Sequence, residues 1–79
     1  MANGSALVDS QILRNGDTGA DISPYSSVLN SVIYGNLGSG LNAASGVAIG
    51  NNVFSQNTGG NLIGGVQVSG NVCGTVACP

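Results

Sequence analysis

Histidine, lysine, glutamate and tryptophan do not occur in this chain of 79 residues, and charge of either sign is scarce. Arg14 is the single basic side chain, and Asp9, Asp17 and Asp21 are the acids. One cation cannot supply the several phosphate contacts that even non-specific nucleic-acid binding uses, so no nucleic-acid partner is expected. The missing histidine removes the commonest general acid-base and zinc-ligating side chain, so neither enzymatic activity nor a cofactor or metal is expected. No run of 18 apolar residues occurs, which argues against a helical membrane span. Met1 to Ser5 has neither the basic start nor the apolar stretch of a secretory signal. The chain is then either a mature form with a new Met1 or one that stays inside the cell.

Charged residues make up 5% of the chain, against about 25% in ordinary soluble domains. All four lie between residues 9 and 21, so everything after Asp21 is formally neutral. Disorder normally combines high charge with low hydrophobicity, and here 42% of residues are hydrophobic. That content is mostly Val, Ile, Leu and Ala, diluted by 14 glycines; the bulky core builders are Phe54, Tyr25 and Tyr34. A small domain with few large side chains closes only a thin core alone, which favours burial against copies of itself.

Composition divides the chain into a charged N-terminal arm, 1–24, and a neutral Gly/Asn/Val-rich β region, 25–79. Leu7, Val8, Gln11 and Ile12 follow helical spacing, and Asn15-Gly16 would end that helix; the alternative is a strand exchanged with a neighbour. In the second region, 28–34 and 46–54 are rich in β-branched and aromatic residues. Further strands are expected over 61–69 and 71–77. Leu62, Val66, Val68, Val72 and Val76 share one parity, which on a continuous strand places them on a single apolar face. Gly-Asn pairs at Gly35, Gly50, Gly60 and Gly70 punctuate this region, the last three ten residues apart. Both residue types tolerate the left-handed backbone of tight turns. The expectation is an all-β chain of short strands with Gly/Asn turns, polymeric, and built as a β-solenoid, a sandwich-like stack or a cross-β array. Val28, Val32, Ile33, Leu62, Val66, Val68, Val72 and Val76 form the predicted assembly face.

Cys73 and Cys78 suit an oxidising compartment. Fully extended, the segment would hold them too far apart to bond, so a turn at Gly74-Thr75 is needed for a terminal disulfide loop. A bridge between chains and free buried thiols are the alternatives.

Three short motifs resemble known families. Asp17-Thr18-Gly19-Ala20 resembles the active-site loop of retropepsin-type aspartic proteases, in which Asp17 from each of two chains would share a proton. Asn15, Asp17 and Asp21 together also make a calcium-like set of oxygens, though the calcium-binding β-roll unit would occur once. Asn71-Val72-Cys73-Gly74, with the near-absence of charge, resembles the chaplins, and Asn42 and Ala44 after Ser31 are similar to a curli repeat. These last resemblances imply, at the level of class, an extracellular protein that self-assembles at a cell surface or an air–water interface. The sequence thus favours a secreted structural protein whose partner is itself, forming fibres or a surface layer by strand addition. A dimeric protease using Asp17 and a small disulfide-stabilised binding module are the alternatives. The protease predicts peptide cleavage at acid pH that Asp17→Asn abolishes; an active Asp17→Asn chain would remove that reading.

Overall fold

The structure, a computed structural model, describes residues 3–78. Three strands recur in the same order along the chain: β1 (Ala6–Val8), β2 (Gln11–Leu13) and β3 (Ala20–Ile22), followed by β4 (Ser27–Leu29), β5 (Val32–Tyr34) and the long β6 (Leu41–Gly50). β7 (Val53–Ser55), β8 (Leu62–Gln67), β9 (Val72–Cys73) and β10 (Val76–Ala77) complete it. Through the first three coils each strand pairs in parallel with its equivalent 21 residues on: Ala6 lies beside Ser27, Gln11 beside Val32 and Ala20 beside Leu41. In the last coil the step shortens, to 18 at Ala48–Val66 and 19 at Val53–Val72. The chain therefore winds as a parallel β-solenoid, with each coil contributing one rung to each of three ladders. β6 serves two of them, its first residues beside β3 and its last beside β4. β9 and β10 form the one antiparallel pair among the described residues.

The corners explain why this sequence winds. Positions 4, 25 and 46 are Gly, Tyr and Gly; 9, 30 and 51 are Asp, Asn and Asn; 14, 35 and 56 are Arg, Gly and Gln. All nine have positive φ, from 48° at Asp9 to 72° at Gly4. One left-handed residue redirects the strand, and Asn, Asp and Gly tolerate that conformation best. Arg14, Tyr25 and Gln56 are the costlier exceptions, and the Tyr25 ring lies against Gly46 in the next coil.

The residue after two of these corners is polar, points inward and is tied to the next coil. The backbone N–H of Asn15 donates to Asn36 Oδ1 at 3.0 Å, and that of Asn36 to Asn57 Oδ1 at 3.1 Å. Their amides continue the column, from Asn15 Nδ2 to Asn36 Oδ1 and from Asn36 Nδ2 to Asn57 Oδ1, at 2.8 and 2.7 Å. A second column runs Ser10, Ser31, Asn52, Asn71, again with each N–H donating to the next side-chain oxygen. Ser31, Asn36 and Asn52 are no more than 1% exposed. Burial of such groups is tolerated because each is bonded.

Between the corners the inward side chains stack by type. Val28 and Ile49 cover Leu7, Ile33 and Phe54 cover Ile12, and Leu41 lies between Ala20 and Leu62. Val28, Ile33, Leu41, Val47, Ile49 and Phe54 are fully buried. Gly40 is fixed by closeness, since a Cβ there would sit 2.5 Å from Asn61 O and 2.7 Å from Asn57 Nδ2.

The helix considered for residues 6–14 is instead β1 and β2, because Asp9 adopts φ 48° and breaks the helical path between them. The segment 1–24, as far as it is described, is the first coil and pairs within the same chain. The ten-residue Gly-Asn spacing is not the structural period, which is 21. Strand 28–34 is divided by the Asn30 corner, and 46–54 by the Asn51 corner. Replacing Asn36 by Ala should cost about 2–3 kcal/mol, since it strips partners from both neighbouring coils. Replacing exposed Asn42 by Ala should stay within about 0.5 kcal/mol. Urea midpoints of the two variants check this, and equal effects would refute the buried column as a stabilising element.

Candidate functional site

The predicted assembly residues divide into two environments. Val28 and Ile33 are fully buried in the chain's own core, and Leu62 is partly buried against it. Val32, Val66, Val68, Val72 and Val76 face outward and are exposed by 38, 57, 58, 40 and 65%. Leu62 does not share a face with the later valines because Gly64 and Gly65, φ 76° and 74°, interrupt the strand. The register slips there: Ala43 lies beside Gly64, but Ala48 lies beside Val66. Val32, Val53 and Val72 are neighbours on successive rungs and form an outward aliphatic stripe.

The two ends of the solenoid differ in their chemistry. At the first coil, β1, β2 and β3 each pair on one side only. Leu7, Ile12 and Ala20 pack against the core from this end while remaining partly exposed. Everywhere else in the columns, the side-chain oxygen of one coil accepts from the N–H of the coil before it. Ser5, Ser10 and Asn15 thus present at this end the acceptor positions that Ser26, Ser31 and Asn36 fill internally.

At the other end the donors are taken up locally. Asn57 Nδ2 donates to Asn61 Oδ1 at 3.0 Å, and Asn71 Nδ2 to Gln67 Oε1 at 3.1 Å and Ser69 O at 3.2 Å. The Asn61 and Gln67 oxygens, each four residues from the Asn they serve, accept the amide donation that the next rung's Asn oxygen accepts inside the solenoid. Cys73 continues the inward stack above Phe54. Gly74, φ 73°, then turns the chain back so that β10 lies along β9, and the Cys78 N–H donates to Asn71 O at 3.0 Å. The Cys73–Cys78 disulfide closes this hairpin, with the two Cα atoms 4.8 Å apart. Both cysteines pack against the core. The terminal loop expected from the sequence is present.

The charged motif belongs to the coil's wide turn. Asp17 is exposed, and Gly19 lies under Gly40 O and the Asn36 amide, where a Cβ would approach to 2.5 and 2.8 Å. The Gly of Asp-Thr-Gly-Ala is thus accounted for by coil packing. Asp21 accepts from Asn42 Nδ2 at 3.2 Å, at the edge of a shallow depression that Ser23, Pro24 and Ala44 also line. Among the described residues, no three His, Cys, Asp or Glu side chains gather as metal ligands. No described helix is long and apolar enough to cross a membrane.

Comparison with protein-family models, with curated proteins and with solved structures returns no match. Sequence reasoning took Asn36, Asn52 and Asn61 as turn residues only, and gave no packing role to Ser10, Ser31, Asn57 or the end-closing Gln67. A 21-residue self-comparison carries the signal, since Asn15, Asn36 and Asn57 then superpose, as do Ser10 and Ser31. For the cap, Cys73→Ser/Cys78→Ser should lower the unfolding free energy by about 2 kcal/mol, the chain-entropy value for so short a loop. A denaturation midpoint unchanged from that of the oxidised parent would contradict a stabilising cap.

Proposed function

We propose that the chain is an extracellular structural protein whose copies add end to end by strand pairing, building fibres or a surface layer. The observation that carries this reading is the one-sided pairing of β1, β2 and β3 over half-buried Leu7, Ile12 and Ala20. An edge of this kind is a template for a further strand, whose backbone bonds give affinity while inward side chains exclude water. The body beyond Asp21 has no formal charge to oppose association. The Cys73–Cys78 disulfide is compatible with an extracellular location. The outward stripe of Val32, Val53 and Val72 favours a second reading, a small disulfide-stabilised binding module that remains monomeric.

Light scattering at micromolar concentration should give a mass well above the 7.7 kDa of one chain. Electron microscopy should show elongated particles. Because the strands run across the solenoid axis, aligned fibres should diffract along that axis at about 4.7–4.8 Å. A monodisperse 7.7 kDa species at that concentration would favour the binding module and sink the assembly.

A further inference from the structure

We infer that the Cys73–Cys78 hairpin is a redox-opened gate, which controls docking of a second copy's first coil on the C-terminal end of the solenoid. The inference rests on the assembly reading above and names which surfaces meet and what regulates them. β1 and β2 of an incoming copy would run in parallel over Val66–Gln67 of β8 and Val72–Cys73 of β9, as β6 and β7 already do from below, although the β8–β9 corner holds one residue more than theirs. β4 and β5 already cover β1 and β2 in that way within the chain.

The polar groups match in one orientation. Within the chain, the Ser10 N–H donates to Ser31 Oγ and the Asn52 N–H to Asn71 Oδ1. The incoming copy's Ser10 Oγ would take the next place in that column, above Asn71. Two first coils facing each other would instead oppose acceptor to acceptor, and would bring together two ends that each carry Arg14, Asp9, Asp17 and Asp21. The C-terminal end carries no charged side chain. Head-to-tail docking is the complementary arrangement, and it propagates without closing.

β10 stands in its way. It lies along β9, from Val76 beside Cys73 to Ala77 beside Val72, on the edge that the incoming β2 requires. Reduction therefore adds the β9 ladder to those an incoming copy can use, and the oxidised hairpin withholds it. The change is a two-electron reduction: a phosphine supplies the electrons that break the S–S bond and water supplies two protons. Two thiols and the phosphine oxide result, and the segment after Gly74 is free to leave β9.

The test is sedimentation of the oxidised chain, of the chain treated with a water-soluble phosphine, and of Cys73→Ser/Cys78→Ser. Amide exchange is followed in the same samples. Reduction and the double variant should both remove protection at Cys78, keep it at Val53 in the ladder below, and tighten association by about tenfold or more. Ser10→Ala in the double-variant background should reverse most of that gain. Persistent protection at Cys78 after reduction would overturn the gate, as would lost protection at Val53. Oxidised chains that polymerise, while reduced chains with an open hairpin do so no better, would overturn the gate and leave the assembly reading intact. Chains that stay monomeric in every state would overturn both.

Discussion

A strand that turns a corner into the interior of a solenoid carries a backbone N–H that no longer points along the ladder. An unpaired buried N–H costs about 1–3 kcal/mol, and this chain meets the problem at every coil. Its solution joins two adjacent residues. A left-handed residue makes the corner, and the next one sends a Ser or Asn oxygen to the N–H of the coil before. Asn does more than Ser, because its second group also reaches a backbone carbonyl one coil back. Asn36 Nδ2 reaches Ile12 O, Asn57 Nδ2 reaches Ile33 O and Asn52 Nδ2 reaches Val28 O. These columns fix the register to one residue, and stacking of Ile33 on Ile12 or Leu41 on Ala20 follows from it.

The same arrangement gives the molecule polarity. Every bond from a corner N–H runs from a coil to the one after it, so the first coil ends in acceptors and the last in donors. The acceptors at Ser5, Ser10 and Asn15 belong to residues only partly buried or exposed, so they keep access to solvent. The donors of Asn57 and Asn71 are buried and need partners within the chain, and Asn61 and Gln67 supply them. Hairpin β9–β10 then shields Cys73 and the Phe54 beneath it. A cap is thus a physical requirement at the donor end and much less so at the acceptor end.

Local composition was enough to read the all-β class, the Gly/Asn turns and the disulfide loop, because each depends on nearby residues. Winding was harder to read, since its signal lies 21 residues away and in small polar side chains. Ser10, Ser31 and Asn52 are ordinary turn residues when taken singly. Alternation also misled where Gly64-Gly65 shifted the strand by other than an even step, which detached Leu62 from Val66 and Val68. The candidate end surfaces were legible only in part. Val72 and Val76 mark the hairpin, but nothing local distinguishes Leu7 or Ile12 in an end coil from the same residues in a middle one.

The scarcity of charge is a consequence of this winding. A residue in a parallel, in-register ladder sits about 4.8 Å from its equivalents above and below. Two like charges at that distance repel by about 1 kcal/mol in water and several times more at the effective dielectric of a protein surface. A repeating unit therefore cannot carry one charge at one position through successive coils. The four charges obey this rule. Asp9 is followed in the next coil by Asn30, Arg14 by Gly35, Asp17 by Gly38 and Asp21 by Asn42. Asn42 even donates its amide to the Asp21 carboxylate, and Gly38 leaves room for that of Asp17, whose Oδ1 would lie 2.8 Å from a Cβ there. Charge is confined to the coil that has a neighbour on one side only, and the neutral body is what an in-register stack of Asn, Ser and aliphatic side chains requires.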